Sequence, residues 1–201
     1  SGIKLNYASA FRAAYSVETN FSLIVCCDDQ GNNRGGLRGN PMLEPEEITT
    51  GEIQYYYQGD TAHFNITGFS SRLTNLIERE RAADRVLDFI NRGELDSMGI
   101  EVEGKYQLSE RTRVSYSFTH QENESDGLQD FTLMPSQMAK LGVSHKFDNN
   151  LKLGVFNSWF SHFHSNQLRN ENSKAVNPDS DSYNMLTLDL RYPFKWQGKE
   201  M

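Results

Sequence analysis

Strict alternation of apolar and polar residues is the feature that most constrains the fold of this chain. From Ile100 to Leu108, an apolar residue or glycine occupies every second position, and glutamate, lysine or glutamine fills the positions between. Residues that alternate in this way lie on opposite faces of a β-strand, whereas an amphipathic helix repeats every three or four residues. The segment therefore predicts an extended strand with one apolar and one polar face.

The same alternation recurs along the chain and predicts about eight strands. They cover residues 3–11, 53–57, 62–67, 100–108, 114–118, 141–147, 151–155 and 186–192. Short turns rich in Gly, Asp, Asn and Ser join the second strand to the third, the fourth to the fifth and the sixth to the seventh. The other connections, 13–47, 79–95, 121–135 and 165–182, are long and polar. Short turns at one end and long loops at the other are typical of an outer-membrane β-barrel.

Composition agrees with a barrel wall. The mean hydropathy is -0.66 although the chain contains 12 Phe, 9 Tyr and 2 Trp. Barrel strands turn apolar residues to lipid and polar residues to the lumen, so their sequence is hydrophilic on average. Aromatic residues near the predicted strand ends fit an interfacial girdle, with ordinary core aromatics as the alternative. These residues are Phe11, Tyr55, Tyr57, Trp159, Phe160, Phe163, Tyr183 and Tyr192.

Charge and motifs exclude several functional classes. A formal net charge of -7 argues against a nucleic-acid partner, because binding to phosphates requires a basic face. The sequence contains no G-x-S-x-G motif, no H-E-x-x-H motif and no glycine-rich loop between a strand and a helix. We therefore predict a protein that is not an enzyme and needs no cofactor.

Metal ligands are also scarce. His162 and His164 share a strand face but have no evident third ligand, and the region of Asp28 and Asp29 lacks the spacing of a calcium loop. We predict no metal site. Cys26 and Cys27 are adjacent and cannot join distant segments. They are predicted to be ordinary loop residues, with a redox or ligand-binding pair as the alternative.

Two segments resemble signatures of the TonB-dependent outer-membrane receptors. Residues 40–46 read N-P-M-L-E-P-E and resemble the family's N-P-x-L-x-P-E. Residues 9–14 read S-A-F-R-A-A and resemble R-A-F-R-A-P, with Ser9 and Ala14 as the departures. The two prolines favour an extended segment that returns the chain from a long loop to the next strand. The matching residues to which we assign structural roles are Phe11, Arg12, Asn40, Pro41, Leu43, Pro45 and Glu46.

Two further segments extend the resemblance in the same order. Residues 69–78 are similar to a family strand with the pattern Y-x-x-x-I-x-D-L-I. Residues 91–101 are similar to N-x-G-x-A-x-x-x-G-V-E, with Leu95 and Ile100 replacing other apolar residues. Gly93, Gly99 and Glu101 match this second pattern and are assigned structural roles. The resemblance therefore covers nearly the whole chain.

The resemblance implies an all-β fold, an antiparallel segment of a transmembrane barrel of about 22 strands. It implies that residues 1–201 are one partial barrel domain and that a plug domain, earlier strands and a last hairpin lie outside the sequence. The implied location is the outer membrane, in contact with lipid. The implied function is uptake of a ferric siderophore or a similarly bulky nutrient, with cobalamin, haem and glycans open. The TonB-ExbB-ExbD complex would supply energy through the plug.

Arginines in the first two long loops are the candidate ligand-binding residues. A guanidinium group offers paired N–H donors that suit an anionic ligand such as a ferric chelate. The alternative is solvated loop charge, since acidic residues are interspersed among these arginines. The candidates are Arg34, Arg38, Arg79, Arg81 and Arg85.

Two alternatives to a receptor segment remain. Eight strands can close into a small barrel of their own, with a structural or adhesive role in the membrane. The strands could also form a soluble β-sandwich that acts as a binding module or hydrolase. The first alternative predicts that the isolated chain refolds in detergent to a heat-resistant barrel, and the second predicts a monodisperse protein in plain buffer.

Overall fold

A computed structural model describes residues 1–126, 134–162, 180–193, 195–196 and 199–200 of the chain. Strands dominate these residues, and one helix of four residues, α1 (Ser16–Thr19), follows the first strand. The strands are β1 (Gly2–Arg12), β2 (Ser22–Val25), β3 (Gly35–Arg38), β4 (Glu46–Gln58), β5 (Ala62–Thr74), β6 (Ile77–Arg81), β7 (Leu87–Asn91), β8 (Leu95–Gln107), β9 (Thr112–Ser125), β10 (Gln137–Lys146), β11 (Lys152–Phe160), β12 (Tyr183–Arg191), β13 (Lys195–Trp196) and β14 (Lys199–Glu200).

Eight of these strands form one antiparallel sheet, called the main sheet below. Its order is β1-β4-β5-β8-β9-β10-β11-β12, which confirms the predicted number of strands. Several strands are longer than predicted because pairing continues past the last alternating apolar residue. Strand β5, for example, runs to Thr74 and ends where Asn75 has a positive φ of 56°. The family-like strand expected over residues 69–78 is consequently divided between β5 and β6.

The connections of the main sheet alternate in length as predicted. At one end, tight turns join β4 to β5, β8 to β9 and β10 to β11. In the last of them, the amide of Phe147 donates to the carbonyl oxygen of Leu151 at 2.8 Å, and Asn150 has a φ of 65°. At the other end, long connections follow β1, β5, β9 and β11. The first two of them are called loop 1 (residues 13–45) and loop 2 (residues 75–94).

Strand register separates the main sheet into an apolar outer face and a polar inner face. Leu5 lies opposite Ile53, Ile53 opposite Gly68, and Gly68 opposite Ile100, so the alternation of one strand matches that of the next. The outer face is not covered by any other described element, and Leu5 and Leu188 are 74% and 66% exposed. The inner face carries Lys, Glu, Asn, Ser and Thr side chains. Because no other sheet of the described residues packs on the apolar face, the structure does not support a soluble β-sandwich.

Strands β1 and β12 are the two edges of the main sheet and do not pair with each other. The described strands therefore form an open curved wall, and the alternative of a self-contained eight-stranded barrel is not supported. Within the described residues, no helix is long and apolar enough to cross a membrane.

A second sheet, called the interloop sheet below, was not predicted. Its four strands are in the order β2-β3-β7-β6, so two come from loop 1 and two from loop 2. Strands β3 and β7 are parallel, with Leu37 opposite Leu87 and Arg38 opposite Asp88. The strands contain only four or five residues each, too few to show a period, which is why the sequence indicated polar loops here.

Aromatic residues cluster at both ends of the main sheet. Near the short turns, the ring of Phe64 lies 5.4 Å from that of Tyr57 on the outer face. Near the loops, Phe160 stacks on Tyr183 at 4.8 Å, but the register places this pair on the inner face. These two residues are therefore not part of a lipid-facing girdle. Phe163, also expected there, lies outside the described residues.

Candidate functional site

The interloop sheet brings the five candidate arginines together from two separate loops. Arg34 and Arg38 lie before and at the end of β3, Arg79 and Arg81 lie on β6, and Arg85 lies in the connection between β6 and β7. All five are at the loop end of the main sheet. Their partners, however, divide them into two groups.

Arg38 connects loop 1 to loop 2 through ion pairs. Its guanidinium contacts the carboxylate of Asp84 and lies 3.5 Å from an oxygen of Asp88. Asp84 also accepts a hydrogen bond from the amide of Val86 at 3.2 Å. The bond from Arg38 is the main reason that the pKa of Asp84 lies below its ordinary value. The guanidinium of Arg38 is thus occupied by the protein itself.

Arg85 is occupied in the same way, whereas Arg34 bonds, among the described residues, only to a neutral backbone carbonyl. Arg85 has a positive φ of 65° and donates to the carboxylate of Asp28 at 3.0 Å. Asp28 also accepts from the amides of Gln30 and Asn32 at 3.0 and 2.9 Å. The bond from the Asn32 amide is the largest of the effects that lower the pKa of Asp28. Arg34 donates from Nε to the carbonyl oxygen of Cys27 at 2.8 Å.

The cysteines and Asp28 of this hairpin bond to groups of the protein itself. Cys26 and Cys27 are joined to each other by a disulfide directly after β2. The carboxylate of Asp28 is saturated by protein donors. No group of three or more His, Cys, Asp or Glu side chains in the described part of the chain is arranged to hold a metal ion. His164, one of the two histidines considered as ligands, lies outside the described residues.

Arg79 and Arg81, called the arginine pair below, differ from the other three. They lie two residues apart on one face of β6, are both exposed, and make neither an ion pair nor a side-chain hydrogen bond with any residue that the structure describes. Arg34 likewise has no ion pair among those residues but keeps its one hydrogen bond to Cys27. The residue between them, Glu80, points to the other face and pairs with Arg92 at 3.1 Å. Arg81 lies opposite Leu87, which is opposite Leu37. The arginine pair therefore borders an aliphatic surface.

Two of the family-motif residues meet at the base of the loops. Arg12 lies opposite Glu46 across β1 and β4, and its Nε donates to the Glu46 carboxylate at 2.5 Å. The second carboxylate oxygen of Glu46 accepts from the amide of Ile77, the first residue of β6, at 2.9 Å. Arg12 also pairs with Glu18 at 3.1 Å. Glu46 thereby links the main sheet to the interloop sheet.

Two asparagines complete this base. Asn40 donates to the carbonyl oxygen of Phe89 at 3.1 Å. Asn91 accepts from the amide of Glu44 at 2.7 Å and donates to the carbonyl oxygens of Glu44 and Asn75 at 2.9 and 2.8 Å. The four residues Arg12, Asn40, Glu46 and Asn91 are called the loop clasp below. Asn91 was not among the predicted site residues, although it begins the family-like segment 91–101.

The remaining motif residues lie near the clasp or in the wall. Pro41, Leu43 and Pro45 lie in the irregular segment between β3 and β4. Gly93 follows β7 with a positive φ of 96°. Gly99 lies in β8, where an added Cβ would be 2.4 Å from the carbonyl oxygen of His120. Phe11 and Glu101 lie on the outer face of β1 and the inner face of β8.

The inner face holds a concave region near the middle of the wall. It is an open cavity of about 580 Å³ bordered by His63, Asn65, Glu103, Lys140 and Phe156, among others. Its lining combines polar side chains with aromatic rings, glycines and Leu141. No candidate ligand residue from the sequence lies in it.

Comparison with known proteins identifies the relatives of this fold. The family model "TonB dependent receptor-like, beta-barrel" matches residues 2–199. The siderophore receptor PirA from Acinetobacter baumannii superposes with a TM-score of 0.71 at 17% identity, over 96% of this chain and 32% of that one. The ferric yersiniabactin uptake receptor FyuA from Yersinia pestis superposes with a TM-score of 0.63 at 15% identity, over 98% of this chain and 27% of that one.

A mutant of the ferric enterobactin receptor PfeA from Pseudomonas aeruginosa is similar to the same degree. Its TM-score is 0.71 at 17% identity, over 92% of this chain and 30% of that one. The chain thus spans less than a third of each of these receptors. No curated protein sequence matches it. With the open antiparallel wall, its long loops at one end and the family model over almost all residues, the chain belongs to the TonB-dependent receptor β-barrel family.

Proposed function

We propose that this chain forms wall and outer loops of an outer-membrane receptor that takes up a bulky anionic nutrient, with a ferric siderophore as the leading cargo. Similar solved structures include receptors for siderophores, ferric enterobactin and ferric yersiniabactin. The observation that supports an anionic cargo is the arginine pair, which has no counter-ion among the described residues. Cobalamin, haem and glycans are the alternatives.

The proposed location rests on the outer face of the main sheet. Its apolar side chains are exposed in a continuous band, which is stable only in contact with lipid or another apolar surface. The inner face would line the lumen, the loops would face the medium, and the tight turns would face the periplasm. In the whole receptor, the TonB-ExbB-ExbD complex would supply energy through the plug.

The arginine pair suits a multiply charged anion for two reasons. Side chains two residues apart on a strand project from points about 7 Å apart, so both guanidinium groups can contact one chelate. Each can also donate two parallel hydrogen bonds to carboxylate or catecholate oxygens. The chain carries a net charge of -7, so an anion needs a local positive surface to approach it. The adjacent aliphatic surface of Leu37 and Leu87 can contact the apolar part of a ligand.

The test is the affinity of the full-length receptor, in detergent micelles, for a trianionic ferric tricatecholate chelate. We expect the double variant Arg79→Gln/Arg81→Gln to bind it at least about tenfold more weakly, because each charge-assisted hydrogen bond contributes about 1.5–3 kcal/mol. Isothermal titration calorimetry measures this difference. The double variant Arg111→Gln/Arg191→Gln removes the same charge at the short-turn end and should leave the affinity unchanged.

Two outcomes would contradict the proposal. Equal binding by the wild type and the Arg79→Gln/Arg81→Gln variant would exclude the arginine pair from the site. Equal binding of the trianionic chelate and an uncharged ferric hydroxamate by the wild type would show that charge does not select the cargo.

A further inference from the structure

The two edge strands of the interloop sheet differ in how they are protected against pairing with a further strand. The edge strand β6 is protected: the amide of Ile77 is bound by the Glu46 carboxylate at 2.9 Å, and the next exposed residues are Arg79, Glu80 and Arg81. Charged side chains on an edge strand discourage pairing with another strand, because the added strand would have to desolvate them. Strand β6 is therefore a closed edge.

The other edge strand, β2, has none of this protection. Its sequence Ser-Leu-Ile-Val contains no charge, and all four residues are exposed. The exposed fractions of Leu23, Ile24 and Val25 are 57%, 44% and 48%, and that of the preceding Phe21 is 44%. These side chains alternate between both faces of the sheet. An uncharged, apolar edge strand can serve as a template for strand addition.

The backbone hydrogen bonds show which groups are available on this edge. The amide of Gly39 donates to the carbonyl oxygen of Phe21 at 2.6 Å, so residues of the same parity as Phe21 bond to β3. In an antiparallel pair, the residues between them direct their N–H and C=O groups away from the partner. Ser22 and Ile24 therefore direct theirs to the open edge, where no strand of the described residues pairs with β2.

The order of the two sheets indicates where a partner strand would come from. The main sheet runs β1, β4, β5, β8, so the two strands that flank loop 1 precede the two that flank loop 2. The interloop sheet runs β2, β3, β7, β6, so the strands of loop 1 again precede those of loop 2. The open edge of β2 is thus on the side of β1, where the main sheet is also open. Loop 2 has already extended the sheet of loop 1 by pairing β7 with β3.

We infer that β2 accepts a further β-strand from a neighbouring outer loop of the same receptor, on the β1 side. The solved relatives provide ample chain for this, because the present chain covers only 27–32% of PirA, PfeA and FyuA. The added strand is extended, pairs with the N–H and C=O groups of Ser22 and Ile24, and places uncharged residues beside Leu23 and Val25. This interaction is independent of the cargo.

Hydrogen–deuterium exchange of the full-length receptor, read by mass spectrometry at single-amide resolution, tests this inference. We expect the amides of Ser22 and Ile24 to exchange at least about 100-fold more slowly than unpaired amides, which reflects a stable local pairing. Ile24→Pro removes only the outward N–H, a change that a free edge tolerates. It should release the protection of the partner strand and so identify it, whereas Ile24→Val should change nothing.

Three outcomes would overturn the inference. Rapid exchange of Ser22 and Ile24 in the purified wild-type receptor would show that the edge is open and serves a foreign partner or none. Protection that appears only with a dimeric mass would assign the edge to a second copy. A folded Ile24→Pro variant whose amide exchange is unchanged everywhere outside β2 would also contradict the inference. The amide exchange of the wild-type receptor tests the inference even if the proline variant does not fold.

Discussion

The main sheet and the interloop sheet are held together by different means. The main sheet has strands of 9 to 14 residues in a continuous antiparallel ladder. Strands β3 and β7 of the interloop sheet share only two paired positions. Yet the buried apolar residues of the described chain, Leu76, Ile77, Val86 and Phe89, all lie in loop 2. The wall thus depends on backbone pairing, whereas the loops depend on particular side chains.

Because the wall depends on backbone pairing, we expect the largest loss of stability from a substitution at a wall residue that packs against the backbone of the neighbouring strand. A Cβ at Gly99 would lie 2.4 Å from the carbonyl oxygen of His120 and 2.8 Å from the ring of Phe69. We expect Gly99→Ala to destabilise the full-length receptor by about 1–3 kcal/mol, as overpacking does. Denaturation in detergent measures this. The control is Gly51→Ala, because a Cβ at Gly51 has no atom within 4 Å. Equal stability of the two variants would contradict the prediction.

A smaller and more local effect is expected from the loop clasp. Asn91→Ala removes two hydrogen bonds to Glu44 of loop 1 and one to Asn75 at the start of loop 2. We expect the local stability of β6 and β7 to fall by about 1 kcal/mol, because the freed groups are partly accessible to water. Amide exchange should become faster there and stay unchanged in β8 and β9.

The matched control for the clasp is Asn65→Ala. Asn65 donates to Glu103 at 3.0 Å in the main sheet, where the backbone ladder continues on both sides. This variant should leave exchange in the interloop sheet unaltered. Faster exchange throughout the main sheet in Asn91→Ala would show that the two sheets unfold together.

The smallest effect concerns pH. The folded-state pKa values of Asp28 and Asp84 lie below the ordinary 3.8. Such carboxylates stabilise the fold above the unfolded-state pKa, and this contribution is lost as the pH falls through the folded-state pKa. The contacts between loops 1 and 2 should therefore remain intact from pH 7 to pH 5 and loosen only below about pH 4.

Hydroxyl-radical footprinting of Leu37 and Leu87 across this pH range measures the loosening. In Arg38→Gln, which removes the ion pairs with Asp84 and Asp88, the labelling of both leucines should depend less on pH. Opening of the wild-type loops between pH 5 and pH 6 would contradict the assignment of this stability to Asp28 and Asp84.

The candidate site shows where prediction from sequence stops. Residue type and position in polar loops were sufficient to select five arginines, and all five do lie at the loop end. Only their partners separate Arg38 and Arg85 from the arginine pair, and Asp84 and Asp28 are 46 and 57 residues away in sequence. Motif resemblance named Arg12 and Glu46 without indicating that they bond to each other or that Glu46 also binds the amide of Ile77.

The sequence by itself determined the number of wall strands, their two faces, the alternation of turns and loops, and the family. These features follow from the two-residue period of a pleated strand, which is local and survives in any stretch of eight or nine residues. Tertiary structure alone decided that loops 1 and 2 share a sheet, which arginines are neutralised and which edge is left open. Strands of four or five residues carry no period, and a counter-ion distant in sequence becomes a partner only when the wall brings the two loops together.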